Sequence, residues 1–457
     1  LELSRGLSRE VRRLAVPAIA QSLLQTLVFV VDRIMLGHHA EASLAAMQIA
    51  GPLEWSVWSV FSAFTVGTVA RVGRHVGAGD RIGAGRAARA SIGYAVVFGL
   101  LVTLITPAVV LGLGVAFQHA SPATVSAARG YLAWTLAGSP LQFVAAAAIA
   151  TLQASGDTRT PLAIGIGINV AHVGTNRVLI LGTPWSPALG MTGAGISTLL
   201  TFTIEAALAC AVLLRQSGPA RPVSLRREPS ARRGDSRGEG REVRRVALPA
   251  LLERVIYHAG FLGFVWMVAR LGDEVMAANQ ALVSVESVCF LSADGFGIAA
   301  AALVAQKLGA GKPLEARRCA TVSARYAVVL LTSLGLLFLA TRWIVLPVFS
   351  NETRIVDLGA TAVPVLAVAQ PFMATAVVLG QSLRGGGFTR AALGVTAVCA
   401  LVVRLSCTYG LAIGLGLGLR GVWLGSTCDW IVRSLLFVVV GHFIASRMAS
   451  RASPALS

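Results

Sequence analysis

The chain has 457 residues, 55% of them hydrophobic and 13% charged, with a mean hydropathy of +0.72. A soluble domain carries about a quarter charged residues, so a water-soluble fold is excluded; apolar runs of about 20 residues recur along the chain and mark a polytopic helical membrane protein. The net charge of +18 does not point to nucleic acid, because the arginines lie in alternate loops rather than on one patch.

The chain opens with LELSRGLSREVRR, which lacks a cleavable signal pattern, so the first apolar run is expected to remain as a helix. Spans are predicted at 14–37, 44–70, 91–117, 129–153, 161–182 and 191–214. Six more follow at 246–270, 276–305, 319–346, 358–383, 391–415 and 421–446, twelve in all. The loops divide by charge. Arg71, Arg74, Arg81, Arg86 and Arg89 follow span 2, and Lys307, Lys312, Arg317 and Arg318 follow span 8. Arg159 follows span 4, and Arg384 and Arg390 follow span 10. The alternate loops, HHAEAS, QHASPAT, TPWSPALG and LGDEV, are poor in Lys and Arg. The positive-inside rule then places the basic loops and both termini in the cytoplasm. Residues 215–245, rich in Arg with Pro, Ser and Gly, read as a mobile basic linker facing anionic lipid heads. The expected domains are an N-lobe at 1–214, the linker at 215–245, a C-lobe at 246–446 and a tail at 447–457. Cys210, Cys289, Cys319, Cys399, Cys407 and Cys428 lie in or beside apolar runs without CxxC spacing and read as core residues.

The second half repeats the first. VRRLAVPA at Val11 returns as VRRVALPA at Val243, GAG at Gly77 returns at Gly309, and YAVV at Tyr94 returns at Tyr326. All three pairs keep an offset of 232 residues. An even number of spans per half makes the repeat parallel, with a pseudo-twofold axis along the membrane normal. Two six-helix lobes with a cleft between them, the architecture of a transporter, are expected. Pro17 and Pro249 fall in equivalent helices, as do Pro140 and Pro371. Each removes an intrahelical hydrogen bond, so Pro17 and Pro249 are candidate bending points. The GAG loops lack a phosphate-binding frame and read as helix caps.

Several stretches resemble one family. FVVDRIMLG from Phe29 is similar to a VDxxMxG signature in helix 1 of the multidrug and toxic compound extrusion (MATE) exporters. AANQALVSVESVCFLSADGFGIAAAALVAQKLGAG from Ala277 resembles that family's helix 8, and LQASGDTRTP from Leu152 and SLRGGGFTR from Ser382 its loops after helices 4 and 10. NVAHVGTNRVLILG from Asn169 and VVRLSCTYGLAIGLGLGLRGVWLG from Val402 resemble helices 5 and 11. The resemblance implies an all-α polytopic fold of twelve helices in a V-shaped pair of lobes. It implies an antiporter, not an enzyme, that exchanges H⁺ or Na⁺ for an organic, often cationic, compound across the inner membrane. It implies a monomer whose partners are a small organic substrate and membrane lipids, with no cofactor beyond the coupling ion. Lipid-linked oligosaccharide flippases share the fold and are the alternative. A membrane enzyme is a distant one, since neither DDxxD nor HExxH occurs.

Acids within hydrocarbon are costly, by about 2.5 kcal/mol or more at a helix centre, and so are functional candidates. Asp32 is the foremost, either as a proton or Na⁺ carrier or as a structural partner of Arg33. The resemblance places the family's coupling acid at Asp32 and its partners at His172, Asn176 and Thr198. His172 and Asn176 are four residues apart and share a helix face. An imidazole here favours H⁺ over Na⁺; a packing role for His172 is the alternative. Glu253, Tyr257, Glu286 and Asp294 are expected to bind substrate in the C-lobe or to make polar packing contacts. Asp294 in ADGFG resembles the DinF-like branch. The interior of helix 10, VPVLAVAQPFMATAVV, lacks the acid of the NorM-like branch.

Overall fold

The computed structural model describes residues 2–39, 41–118, 121–185, 187–215, 223–225, 233–349 and 352–452. They form helices α1 (Glu2–His39), α2 (Glu41–Phe61), α3 (Phe64–Gly77), α4 (Arg81–Ala116) and α5 (Pro122–Ala137). Next come α6 (Ser139–Ala154), α7 (Arg159–Leu181), α8 (Gly190–Arg215), α9 (Arg233–Ala269) and α10 (Asp273–Gly309). The chain ends with α11 (Pro313–Val345), α12 (Thr353–Gly385), α13 (Thr389–Ala397), α14 (Arg404–Thr408) and α15 (Gly418–Ala452). There is no β-strand element among the described residues. Nine helices among these residues are long and apolar enough to cross a membrane, ten if α5 and α6 count as one span. Two expected spans are interrupted. The span at 44–70 breaks between α2 and α3, and the span at 129–153 bends by 51° between α5 and α6. Pro140 stands in the first turn of α6, where its missing N–H costs nothing.

The repeat is visible in the turns. Gly79 and Gly311, the last residues of the two GAG segments, have φ of +74° and +72°. Gly156 and Gly387, after α6 and α12, have φ of +90° and +81°. Only glycine enters that region without a Cβ clash, so both pairs end their helices as caps. Asp80 then starts α4 by accepting from the Gly83 N–H at 2.8 Å. Asp157 accepts from the Thr160 N–H at 2.9 Å at the start of α7.

The compact units differ from the expected domains. One unit comprises Leu1–Ile19 and Leu248–Ser457, the other Ala20–Ala247. The boundaries fall within three residues of Pro17 and Pro249, inside α1 and α9. The expected division at 214 and 246 is therefore corrected. In the first unit, Leu7, Val11, Leu14 and Ala15 are buried with Cys289, Phe296 and Leu303 of α10. Glu10 is held there by Lys307 at 3.3 Å. In the second unit, Val243 of α9 is fully buried, and Glu239 is held by Arg71 of α3 at 2.8 Å and by His75 at 3.0 Å. His75 and Lys307 are 232 residues apart, so the duplicated scaffold repeats this attachment.

The linker expectation is also corrected. Residues 233–245 are the first turns of α9, and Val223 is fully buried. Residues 216–222 and 226–232, with Arg221, Arg226, Arg227 and Arg232, lie outside the described residues, as do 453–457 of the tail.

Close approach of the α1 and α9 segments depends on glycine. A Cβ on Gly295 would lie 2.6 Å from the Ile19 backbone, and one on Gly67 would lie 2.6 Å from the Val243 carbonyl oxygen. We expect Gly295→Ala to destabilise the first unit by about 1–3 kcal/mol, the usual cost of overpacking, seen as a lower unfolding midpoint in detergent.

Candidate functional site

In the unit Ala20–Ala247, α1, α7 and α8 bring their polar groups together. Asp32 on α1 faces α7. Its Oδ1 accepts from Asn176 Nδ2 at 2.6 Å. His172 Nε2 lies 3.2 Å from Oδ1 and 3.1 Å from Oδ2. The His172 and Asn176 side chains meet one helical turn apart, at 3.1 Å. On the other side of the ring, Nδ1 faces Thr201 Oγ1 of α8 at 2.8 Å and Ser197 Oγ at 3.3 Å. His172 and Asn176 are buried, and 17% of the Asp32 side chain stays exposed.

The hydrogen bonds constrain where protons reside. Thr201 donates its hydroxyl to the Ser197 carbonyl at 2.8 Å. With that proton committed, Thr201 can only accept from Nδ1, so Nδ1 carries a hydrogen. A neutral imidazole then has no hydrogen on Nε2. A bare Nε2 can accept from Asn176 Nδ2 at 3.1 Å, and a protonated Nε2 can donate to the Asp32 carboxylate at 3.1 Å. The alternative is for Thr201 to swing its proton onto Nδ1, which moves the ring hydrogen to Nε2.

Of the four residues expected here, Asp32, His172 and Asn176 converge. Thr198 does not reach them: its hydroxyl donates to the Ala194 carbonyl at 2.9 Å, and it meets Tyr131 of α5. Its expected place is filled by Ser197 and Thr201, which share a face of α8 by their spacing of four. That spacing was available in the sequence. Tyr131 was not marked by any local pattern. It is buried, within electrostatic reach of Asp32 and of Glu54, which itself accepts from Gln142 Nε2 at 3.1 Å. The Asn176 Oδ1 atom is buried without a hydrogen-bond partner.

The unit of Leu1–Ile19 and Leu248–Ser457 places its acids differently. Glu253 on α9 accepts from Arg384 Nε at 3.0 Å, from Arg384 Nη2, and from Thr396 Oγ1 at 2.6 Å. Through these partners Glu253 makes the polar packing contact that was the alternative to substrate binding, and it ties α9 to α12 and α13. The repeat carries a neutral form of the same tie. Gln21 and Gln153, the counterparts of Glu253 and Arg384, are joined at 3.2 Å. Asp294 accepts from Gln381 Nε2 at 2.8 Å, which also takes it up in packing. Tyr257 stacks edge-on with His258 at 5.9 Å between ring centres. Glu286 alone among these acids keeps a buried oxygen, Oε1, without a partner.

The MatE family model matches residues 17–178 and 249–409. Both segments begin on the paired prolines, and together they cover most of the chain. A protein of Thermotoga maritima named "Probable multidrug resistance protein NorM" is 25% identical over 444 residues, 97% of this chain and 94% of that protein. A protein of the same name from Bradyrhizobium diazoefficiens is 28% identical over 454 residues, 96% of this chain and 94% of its own. The solved structure of an outward-facing multidrug resistance MATE family transporter of the MOP superfamily superposes with a TM-score of 0.88 at 20% identity, covering 98% of each chain. The chain belongs to the MatE family of membrane transporters and is not an enzyme.

Removing one partner of a buried ion pair costs about 3–5 kcal/mol, whereas a neutral replacement of both is far milder. Glu253→Gln or Arg384→Gln alone is expected to lower the unfolding midpoint sharply. The double change Glu253→Gln with Arg384→Gln, which rebuilds the amide pair of Gln21 and Gln153, is expected to recover most of it. A double-mutant cycle on detergent-solubilised protein measures this.

Proposed function

We propose that this protein is an H⁺-coupled antiporter that exports organic, cationic or amphipathic, drugs across the inner membrane. The observation that carries the reading is the Asp32–His172 contact, a carboxylate 3.1 Å from an imidazole nitrogen that can hold a proton. The names of the full-length relatives support multidrug export as the task.

The cycle follows from charge. A carboxylate in hydrocarbon is unfavourable unless paired or neutralised. With the site open to the cytoplasm and the pair short of a proton, its net negative charge attracts a cationic substrate. Opening outward exposes it to higher proton activity. A proton arriving on the pair cancels that charge, and the substrate loses its attraction and leaves. The neutralised pair then crosses back at low cost. Asn176 holds the carboxylate in place through both states, and Thr201 accepts or returns the Nδ1 hydrogen as the ring changes form.

Na⁺ is the rival ion. It requires several oxygen ligands, and His172 Nε2 takes up two of the approaches to Asp32. A flippase for anionic lipid-linked sugars would want a surplus of buried positive charge. Buried Arg404 and Arg433 are both engaged by Asp429, at 3.0 and 2.8 Å, which weighs against that reading.

Efflux of ethidium from vesicles, driven by an H⁺ or an Na⁺ gradient one at a time, tests this reading. H⁺ alone is expected to drive wild-type efflux. Asp32→Asn, inserted normally, is expected to abolish the driven component, and His172→Gln to reduce it by about tenfold or more, the scale of losing one proton-transfer partner. Efflux driven by Na⁺ alone, or undiminished in Asp32→Asn, would overturn the proposal.

A further inference from the structure

The proton site has a counterpart in the other unit, found by following the repeat through the structure. Gly156 and Gly387, both at positive φ, start the comparison of α7 with α13 and α14 at an offset of 231 residues. The π-helical turn Val398–Val403 adds one residue, so His172 matches Arg404. Gly190 and Gly418, both with φ of +53°, start α8 and α15 at an offset of 228. Thr201 then matches Asp429, Thr198 matches Ser426 and Ser197 matches Gly425. Asp32 of α1 matches Phe264 of α9 at 232.

The contacts repeat along with the positions. His172 faces Asp32 and Thr201; Arg404 lies over the Phe264 ring at 5.6 Å and pairs with Asp429 Oδ2 at 3.0 Å. Arg404 Nη2 also donates to Ser426 Oγ at 3.1 Å. Asn176 matches Thr408, and each keeps one buried oxygen, Oδ1 or Oγ1, without a partner. Glycine at 425 is required, because a Cβ there would lie 2.5 Å from Thr408 Oγ1.

The chemistry differs at each matched place. Phe264 removes the proton acceptor that Asp32 supplies. The guanidinium of Arg404 keeps its charge where the imidazole of His172 exchanges it. Asp429 gives that fixed cation a permanent partner where Thr201 gives a neutral one. Arg433 on α15 also donates to Asp429, at 2.8 and 2.9 Å. Glu286 on α10 and Tyr257 on α9 lie within electrostatic reach of Arg404. The Trp430 ring lies beside both guanidiniums, at 5.6 and 5.3 Å.

We propose that the Arg404–Asp429 pair is a fixed-charge copy of the Asp32–His172 site, so that this half binds no coupling ion and each exported substrate exchanges for one proton. A second cation, H⁺ or Na⁺, would enter a place already filled by a tethered one and be repelled. Arg404 is a positioning residue that holds α9, α14 and α15 together with the charge arrangement the other half reaches only when protonated. The inference rests on the proposed role of Asp32 and His172.

The test is the accumulation of a monovalent cationic dye at steady state in proteoliposomes, with the membrane potential clamped at zero and the pH gradient varied. One proton per dye gives a gradient that rises about tenfold per pH unit, since each unit is worth 2.303RT per proton. That slope is expected for wild type and for Arg404→Lys, which keeps a fixed cation. Two protons would give about a hundredfold per unit; that result overturns the fixed-charge copy and leaves the Asp32 reading standing. No dependence on pH at all would instead overturn the Asp32 reading beneath it. Writing the first site into the second with Phe264→Asp and Arg404→His is expected to steepen the slope toward the two-proton value. A double variant that still transports with the wild-type slope would overturn the equivalence, because a merely structural ion pair leaves stoichiometry untouched. If that variant does not insert, the wild-type slope decides.

Discussion

A charge cannot remain alone in hydrocarbon, and that constraint organises this protein. The partners of the buried acids differ, and the kind of partner sets how each is held. Glu253 is saturated by Arg384 and Thr396 and holds helices together. Asp429 is shared by two guanidiniums. Asp32 meets an imidazole, a group that can be neutral or charged, and an amide, which has no charge. The proposed coupling role rests on this last combination.

Duplication supplied the frame on which these differences were written. The same helix positions carry Gln21 and Gln153 in one half and Glu253 and Arg384 in the other, an amide pair against an ion pair in one structural role. They carry His172 and Thr201 against Arg404 and Asp429. Neutral and charged forms of one tie are close in stability when both partners change together. That tolerance permits two halves with one backbone plan to diverge in electrostatics. The compact units do not follow the halves of the sequence, because α1 and α9 each give their first part to one unit and the rest to the other. Pro17 and Pro249 stand close to those boundaries, where a helix already short of one hydrogen bond is easiest to redirect.

Asp32 was legible as an acid in an apolar run. The resemblance brought His172 and Asn176 forward, and their spacing of four put them on one helix face. Thr198 was brought forward by the resemblance, and the hydroxyl that meets the imidazole is that of Thr201. The side chain that meets the imidazole depends on how α8 is rotated against α7, which spacing does not encode. The ties of Glu253 were not legible for a related reason. Its partners lie 131 and 143 residues away, and no local pattern pairs them. The basic stretch before α9 looked incapable of order, yet residues 233–245 are helical, with Val243 buried and Glu239 tied to Arg71.

The sequence by itself determined the class of protein, its all-helical character and its duplication, since hydropathy and the 232-residue offset are properties of the chain read in order. It also singled out the acid at the centre of the site. Tertiary structure alone decided which acids are spent on packing and which one meets a titratable partner, where the units divide, and that Arg404 occupies the place of His172. Those outcomes depend on distances of about 3 Å between helices far apart in the chain, and the rotation and register that set such distances come from packing.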